Sequence, residues 1–370
     1  MLKVAFIDDG IMDGIDGMPS KVKKYAVTEN GISLWNNQDG AYYLSHGTMC
    51  WWIFRNYVKS DDFCLYDIRV LNPQTQKADY KALLKALEFC LEEGITLINM
   101  SLGTTCFTEN GMNDVLRKLY ENGAMMIAAK SNENRMTFPS CSPYVMGVVR
   151  DHGNLLKKDE YVLLDNDIGN INIISHCKFE EIEKRYGIVL SEANSFSAPY
   201  ISAVVCNAML SGVSQEKMWD HLKKDANIYE EINSYHYIKK GFPRWSDEID
   251  VPIIGCREPR LLRSLVEKFR IRRYNCVGVL YEQTSFVCTY MFGYEPYKSQ
   301  IKCGCGDLMR IIVNSTCPDI LFTQSCQVDE ETLCDLLLSK ESEESGSSQL
   351  KYEETQSIEE IANNIENLFS

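Results

Sequence analysis

The chain has 370 residues, of which 45% are hydrophobic and 24% are charged, and its formal net charge is −14. This composition is typical of a globular protein with a sizeable core, and the length favours two domains over one. The acidity argues against binding to nucleic acid or to an anionic membrane, and no apolar run reaches the ~20 residues of a membrane span.

Fifteen cysteines are scattered along the chain, mostly within apolar segments. This pattern favours reduced core thiols in a cytoplasmic protein over a disulfide framework. Cys303 and Cys305 form the one tight pair, and because a second pair is missing, a structural zinc site there is the less favoured interpretation. We predict no metal and no other cofactor. The sequence begins on a predicted core strand, so we expect no secretion signal.

The first 130 residues alternate between strand and helix patterns. Apolar residues 4–7 lead into Asp8, which predicts a buried strand ending at a carboxylate, and a polar start before an apolar run predicts a helix beginning near His46. Further strands are predicted at 66–71, 95–101 and 125–129, and helices at 79–93 and 111–122. The alternation indicates parallel βαβ units. We therefore expect Asp8, Ser101 and Asn132 to lie beyond the carboxyl ends of neighbouring strands.

A serine, Ser195, is followed four positions later by Pro199. Proline is tolerated in the first turn of a helix, where no internal donor is lost, so the pair predicts a helix start that includes both residues. The Ser195 hydroxyl would then lie at the positive end of the helix. A plain helix cap is the alternative, because a nucleophile also needs a base, an orienting acid and an oxyanion donor.

Five short motifs occur in an order that points to a known family. They are Asp8-Asp9-Gly10, His46-Gly47-Thr48, Asn99-Met100-Ser101-Leu102-Gly103, Ser131-Asn132-Glu133 and Asn194-Ser195-Phe196-Ser197-Ala198-Pro199. Together they resemble the motifs of the subtilisin-like serine proteases, and the resemblance covers about residues 1–225. The order Asp, His, Ser is that of subtilisin rather than that of chymotrypsin. The resemblance implies an α/β fold with a subtilisin-like parallel sheet flanked by helices.

The resemblance also implies a mechanism. Ser195 would attack a peptide carbonyl, His46 would carry the proton, and Asp8 would orient His46. Asn132 would donate its side-chain amide to the oxyanion, with the backbone N–H of Ser195 as the second donor. Asp9 is the competing candidate for the acid, but the family pattern has the acid two residues before the glycine, which selects Asp8.

An extended peptide is the substrate that the resemblance implies. Ser101, Leu102 and Gly103 match the segment that pairs with the substrate backbone in the family. Lys130 and Ser131 stand where the family commonly has alanine and glycine, close to the pocket for the residue that precedes the scissile bond. We therefore expect a narrower or more polar pocket in this protein.

The resemblance fades after about residue 225, and a second module is predicted. We assign 1–228 to a peptidase domain, 229–249 to a connection, 250–340 to a small α/β domain, and 341–370 to an acidic linker and a short amphipathic helix. Strands are predicted at 251–256, 275–280, 310–313 and 319–322, and a helix at 261–269. No phosphate-binding glycine motif occurs there, so we expect a module that binds a docking partner. The tail would be either solvated or docked on its own body or on a partner.

The predicted function is that of a cytoplasmic serine endopeptidase that processes a peptide or protein precursor. General intracellular turnover is the alternative within the enzyme class. A non-catalytic module that keeps the peptide groove is the alternative outside the enzyme class, because Asn194 and Phe196 are unusual neighbours for Ser195.

Neither nucleic acid nor a membrane is expected as a partner. No calcium site is predicted. No propeptide fits ahead of Asp8, so the chain either folds unaided or has lost one.

Overall fold

The computed structural model describes residues 1–35, 44–72, 75, 77–104, 111–164, 171–281, 286–288, 290–294, 303–324, 334–340, 349–353 and 355–369. The chain divides into two compact units, Met1–Tyr229 and Glu230–Ser370. Each unit is built on a sheet of its own.

Nine strands form the sheet of the first unit. They are β1 (Leu2–Asp8), β2 (Val22–Thr28), β3 (Gly31–Leu34), β4 (Phe63–Arg69), β5 (Leu97–Met100), β6 (Met125–Ala129), β7 (Met146–Arg150), β8 (Tyr161–Leu163) and β9 (Ile171–Ser175). Their order in the sheet is β3-β2-β4-β1-β5-β6-β7-β9-β8. All neighbouring pairs are parallel except β2–β3 and β8–β9 at the two edges. The crossovers that parallel strands require are supplied mostly by helices.

The helices of the first unit are α1 (His46–Tyr57), α2 (Tyr80–Glu92), α3 (Gly111–Glu121), α4 (Glu180–Tyr186), α5 (Asn194–Leu210) and α6 (Gln215–Asp225). Thirteen of the 17 residues of α5 are buried, so this helix has no solvent-facing stripe and lies inside the core. It packs against α1, β5, β6 and β7. From β1, Phe6 packs edge-on against Trp51 of α1, with ring centroids 5.7 Å apart. Its neighbours Ala5 and Ile7 point to the other face and are also fully buried, so both faces of the sheet are covered.

Three carboxyl ends lie side by side in the middle of this sheet. Ile7 of β1 pairs with Met100 of β5, and Met100 pairs with Ala128 of β6. The chain segments that leave these strands therefore begin at one edge of the sheet. This is the edge at which the candidate site is assembled.

The second unit contains β10 (Ile253–Cys256), β11 (Cys276–Leu280), β12 (Phe286–Cys288), β13 (Met291–Gly293), β14 (Ile320–Gln324), β15 (Leu336–Lys340) and β16 (Gln349–Tyr352), in the order β12-β13-β11-β14-β10-β15-β16. Only β12–β13 among its neighbouring pairs in the described residues is antiparallel. Its helices are a 3₁₀ turn (Glu230–Asn233), α7 (Tyr235–Lys240), α8 (Pro259–Ile271), α9 (Cys305–Thr316) and α10 (Ile358–Phe369). The fold class predicted from the sequence, a parallel sheet flanked by helices with a second, smaller α/β module, is confirmed.

One strand prediction in the second unit is wrong. Residues 310–313, Arg-Ile-Ile-Val, lie within α9 (Cys305–Thr316) rather than in a strand. The β-branched run suggested a strand, but Leu308, Ile311 and Ile312 are buried at helical spacing, so packing decides the structure against local propensity.

The C-terminal segment is also more structured than predicted. Gln349 and Leu350, assigned to the linker, begin β16, which pairs with β15; residues 341–348 of that linker lie outside the described part of the chain. Helix α10 packs against α8 and buries Ile361 and Ile365. The tail therefore docks on its own unit.

No single helix in the described residues is both long and apolar enough to cross a membrane. Helices α5 and α6 meet the test of length and composition only when they are taken together, across a bend of 117°.

Candidate active site

Three residues from distant parts of the chain form one hydrogen-bonded row. Asp8 is the last residue of β1, His46 the first of α1 and Ser195 the second of α5. His46 Nδ1 lies 3.0 Å from each carboxylate oxygen of Asp8, and His46 Nε2 lies 3.0 Å from Ser195 Oγ. The side chain of His46 is 21% exposed and that of Asp8 only 1%. This arrangement can move a proton from the hydroxyl to the imidazole while the carboxylate stabilises the imidazolium.

The segment after Asp8 is locked onto the start of α1. Asp9 accepts hydrogen bonds from the backbone N–H groups of His46 (3.1 Å) and Gly47 (2.7 Å), so it stabilises the positive end of the helix. Its own N–H donates to Asp8 Oδ1 at 2.9 Å. A Cβ atom on Gly47 would lie 2.8 Å from the Gly10 carbonyl oxygen, so only glycine allows this approach. Of the two neighbouring carboxylates, Asp8 contacts the imidazole and Asp9 holds the helix.

Pro199 lies in the second turn of α5, which corrects the prediction that it belongs to the first turn. At this position proline removes a donor from the helix and leaves the Ser195 carbonyl without its usual partner. Cys50 of α1 meets that carbonyl, with its Sγ 3.7 Å from the oxygen. Burial raises the pKa of the Cys50 thiol, so the thiol stays protonated and can donate.

Two donors converge near Ser195. The backbone N–H of Ser195 belongs to the first turn of α5, where no helical acceptor exists. The side chain of Asn132 lies at the same helix end, because Asn132 Oδ1 accepts the backbone N–H of Asn194 at 2.8 Å. Because the oxygen of the Asn132 amide accepts this bond, its NH₂ group is left as the donor of a side chain that lines the cleft together with His46 and Ser195.

A cleft of about 410 Å³ opens beside the row. Its lining includes Ser101, Leu102 and Gly103. Their pairing with a substrate backbone stays a prediction. The remaining lining residues are His46, Leu71, Lys77, Ala78, Asp79, Tyr80, Leu83, Thr104, Asn132 and Ser195. A Cβ atom on Gly103 would lie 2.9 Å from Thr137 Oγ1, so glycine allows this segment to lie close to the neighbouring strand-like loop.

Lys130 and Ser131 are not part of the lining of this cleft within the described residues. Lys130 is 8% exposed, and burial lowers its pKa from 10.5 to about 8. The Ser131 carbonyl accepts a hydrogen bond from Asn194 Nδ2 at 2.8 Å.

The pKa of His46 is the balance of two opposing influences and lies well above its ordinary value of 6.5. Burial disfavours the charged imidazolium, but the nearby Asp8 carboxylate outweighs that penalty. The Asp8 carboxylate thus favours the protonated, imidazolium form of His46.

Asp8, His46 and Cys50 also present three ligand atoms within 4.8 Å of one another, which is a spacing that a metal ion could bridge. Cys50 Sγ lies almost equally far from the two ring nitrogens of His46, at 3.7 Å from Nδ1 and 3.9 Å from Nε2. His46 Nε2 is already paired with Ser195 Oγ at 3.0 Å. Both Asp8 oxygens already face His46 Nδ1. The contacts therefore favour the hydrogen-bonded row over a metal site.

Sequence reasoning missed three residues around this row. Cys50 follows His46 by four positions on α1, a helical spacing that places both on one face. The ring of Phe196 stacks on that of His46, with centroids 5.1 Å apart. Asn194 stood out in the sequence only as an unusual neighbour of Ser195. The helical spacing could have revealed the contact of Cys50 with His46. The contact of Cys50 with Ser195 and those of Asn194 with Ser131 and Arg150 join segments far apart in the chain, so no local pattern could have revealed them.

No protein-family model matches the chain. Among curated proteins, it is 28% identical over 87 residues to the minor extracellular protease Epr of Bacillus subtilis (strain 168), a match that covers 23% of this chain and 13% of that protease. The chain thus spans only a small part of the length of this relative.

Solved structures are similar as well. Sphericase is 14% identical, with a TM-score of 0.46 over 64% of this chain and 83% of that one. The psychrophilic subtilisin-like protease Apa1 from the Antarctic psychrotroph Pseudoalteromonas sp. AS-11 is 19% identical, with a TM-score of 0.31 over 40% of this chain and 36% of that one. The resemblance to subtilisin-like serine proteases that the motifs indicated is confirmed as a resemblance.

Proposed function

We propose that this protein is a subtilisin-like serine endopeptidase. The observation that carries the proposal is the position of His46, hydrogen-bonded at 3.0 Å to Asp8 through one ring nitrogen and to Ser195 through the other. Ser195 Oγ attacks the peptide carbonyl carbon while its proton moves to His46 Nε2. As the C–N bond breaks, the same proton passes to the leaving amine. Water then hydrolyses the acyl-enzyme ester by the same route, with His46 again as the base.

The oxyanion of each tetrahedral intermediate is bound by the side-chain amide of Asn132 and the backbone N–H of Ser195. This assignment is supported by the hydrogen bond from Asn194 N to Asn132 Oδ1, which leaves the NH₂ group of Asn132 as the donor beside Ser195. In subtilisin, removal of the asparagine donor from the oxyanion hole costs about 3–4 kcal/mol of transition-state stabilisation. We expect a contribution of similar size from Asn132.

The substrate is an extended peptide or protein segment. Ser101, Leu102 and Gly103 pair with its backbone, and their position in the lining of the cleft supports this role. Lys130 and Ser131 do not line the cleft itself, but they stand where the family commonly has alanine and glycine, so we still propose a narrower or more polar pocket for the residue before the scissile bond. Profiling with a peptide library tests the pocket, and a preference for large aromatic residues would contradict this part of the proposal.

A fluorophosphonate probe tests the activity directly. We expect the intact protein to gain the mass of the probe, and the Ser195→Ala variant to gain nothing. His46→Ala should keep its fold and lose labelling, which separates an activated nucleophile from an accessible hydroxyl. A folded wild-type protein that resists the probe but still binds peptides would overturn the proposal in favour of a non-catalytic peptide-binding module.

We further propose that the enzyme acts on a precursor inside the cell. The twelve cysteines whose side chains the structure describes are free thiols, a state that a reducing compartment maintains. Peptide termini compared between cells that produce the wild type and cells that produce Ser195→Ala should differ at a few discrete sites. A broad change over many proteins would instead indicate general turnover.

The second unit is proposed to dock a partner or the precursor. Cross-linking of the Ser195→Ala variant to its precursor should yield links in residues 250–340. Links confined to the first unit would contradict this role.

A further inference from the structure

Asn194 is fully buried and makes three hydrogen bonds to two other segments of the first unit. Its Nδ2 donates to the Ser131 carbonyl at 2.8 Å, and its Oδ1 accepts the N–H of Arg150 at 3.0 Å. Its backbone N–H donates to Asn132 Oδ1 at 2.8 Å. The side chain thus ties the end of β7 to the turn that follows β6, and both are fixed to the first turn of α5.

The start of α5 depends on these contacts. Its N-cap residue, Ala193, has no side-chain acceptor, so α5 lacks the cap that most helices carry. Asn132 supplies one from outside the helix by accepting the N–H of Asn194. A cap that comes from a separate turn is only as well placed as that turn. The bond from Asn194 Nδ2 to Ser131, the residue before Asn132, holds the turn in place.

We propose that Asn194 is a positioning residue for the oxyanion donor Asn132, an inference that rests on the proposed function. Its side chain fixes the backbone of the Asn132 turn, and its backbone N–H fixes which end of the Asn132 amide faces Ser195. The NH₂ group of Asn132 is thereby directed at the oxyanion before substrate binds, which spares the cost of reorganisation. A displacement of about 1 Å in such a group can reduce a rate by ~100-fold.

A second asparagine on α5, Asn207, also hydrogen-bonds two backbone groups through its side chain, but it lies away from the candidate site. Asn207 accepts the N–H of Lys59 at 2.8 Å and donates to the Tyr57 carbonyl at 3.0 Å. It therefore joins two backbone groups just as Asn194 does, but at the opposite end of the helix. Asn207→Ala is the matched control for the structural part of the substitution at Asn194.

The test is a double-mutant cycle of Asn194→Ala and Asn132→Ala, with kcat and KM measured on a peptide substrate. We expect Asn132→Ala to lower kcat by ~10²–10³-fold. Asn194→Ala should lower kcat by about 10- to 100-fold when Asn132 is present and less than about 3-fold when it is absent, with little change in KM. Asn207→Ala should lower the unfolding temperature without changing kcat.

Two results would overturn the inference. One is an equal loss from Asn194→Ala in both backgrounds, and the other is a loss in kcat from Asn207→Ala of the same size. If Asn194→Ala does not fold, Asn194→Ser runs the same cycle, because a hydroxyl can still pair with one of the two backbone groups. A wild-type protein without hydrolysis or labelling by the fluorophosphonate would refute the proposed function itself, whereas an active wild type with an additive cycle would refute only the role of Asn194.

Discussion

The thiol of Cys50 lies 3.7 Å from the carbonyl oxygen of Ser195, in the turn of α5 that Pro199 leaves one donor short. The two residues are 145 positions apart in the chain. A proline that would ordinarily be expected to break the helix is therefore accommodated by a side chain from α1. The same contact fixes the turn that carries the Ser195 hydroxyl against the helix that carries His46.

Cys50→Ala should lower the free energy of unfolding by about 1–3 kcal/mol, because it leaves a buried carbonyl without a donor. In a Pro199→Ala background, where the helix regains its own N–H, the same substitution should cost less. Thermal unfolding of the four proteins measures the difference. Cys90→Ala is the control, since it removes a fully buried thiol elsewhere in the first unit and should cost the same in both backgrounds. An equal cost of Cys50→Ala in both backgrounds would contradict the donor role.

The resemblance to the subtilisin-like motifs singled out Asp8, His46 and Ser195, and the structure brings their side chains together in one hydrogen-bonded row. Their catalytic role stays a proposal. Strand and helix periodicity was sufficient to place the strand that ends at Asp8 and the helix that begins at His46. The position of Pro199 was predicted wrongly, since its acceptability depends on Cys50, which no local pattern connects to it. The strand predicted at 310–313 was wrong for a related reason. The β-branched side chains there are typical of strands, but the neighbours that bury them are arranged for a helix.

Titration of His46 tests the electrostatics of the row. Asp8 raises the pKa of His46 well above 6.5, so the imidazole should titrate above that value in NMR spectra of the Ser195→Ala variant. Asp8→Asn removes the carboxylate and leaves the burial, so the pKa should fall below 6.5. Only neutral His46 can take the proton of Ser195, so kcat/KM of the wild type should fall as pH drops through the raised pKa.

Asp8→Asn should also lower kcat by ~10⁴-fold, as the equivalent substitution does in trypsin. A wild-type pKa at or below 6.5 would show that burial, not Asp8, dominates the site.

The lowered pKa of Lys130 predicts that the free energy of unfolding rises at alkaline pH. Burial lowers its pKa from 10.5 to about 8 in the folded protein, so between these values the unfolded chain binds more protons than the folded one. Stability from this group should therefore increase with pH over that window, by roughly 3 kcal/mol at 1.36 kcal/mol for each pKa unit. Lys130→Met should remove the increase, and the difference between the two proteins isolates it from the titration of tyrosines. Parallel pH profiles for the two proteins would contradict a lowered pKa.

A substitution at Gly47 tests how closely the end of β1 and the start of α1 must approach each other for activity. A Cβ atom there would lie 2.8 Å from the Gly10 carbonyl oxygen and 3.2 Å from Asp8 Cβ, so Gly47→Ala must push Asp8 and His46 apart. We expect kcat to fall by ~100-fold and the unfolding temperature to fall as well. Gly111→Ala is the control, because Gly111 also begins a helix but its nearest contact would be a Leu84 methyl group at 3.4 Å. It should be neutral or slightly stabilising. Wild-type kcat in Gly47→Ala would show that the site tolerates the displacement.

Substitutions in helix α10 test whether the C-terminal tail is docked on the second unit or solvated. Ile365 is fully buried against the second unit, whereas Leu368 on the same helix is 56% exposed. Ile365→Ala should destabilise the second unit by about 2–5 kcal/mol, since it creates a cavity, and Leu368→Ala should change stability by less than about 0.5 kcal/mol. Glu359 is 51% exposed and forms ion pairs with both Lys268 and Arg272. Because solvent screens such pairs, Glu359→Ala should cost less than about 1 kcal/mol. Apolar burial, rather than the charges that dominate the composition of the tail, would then be what holds α10 in place. Urea unfolding of the three variants decides the matter, and equally small changes in all of them would mean that the tail is solvated.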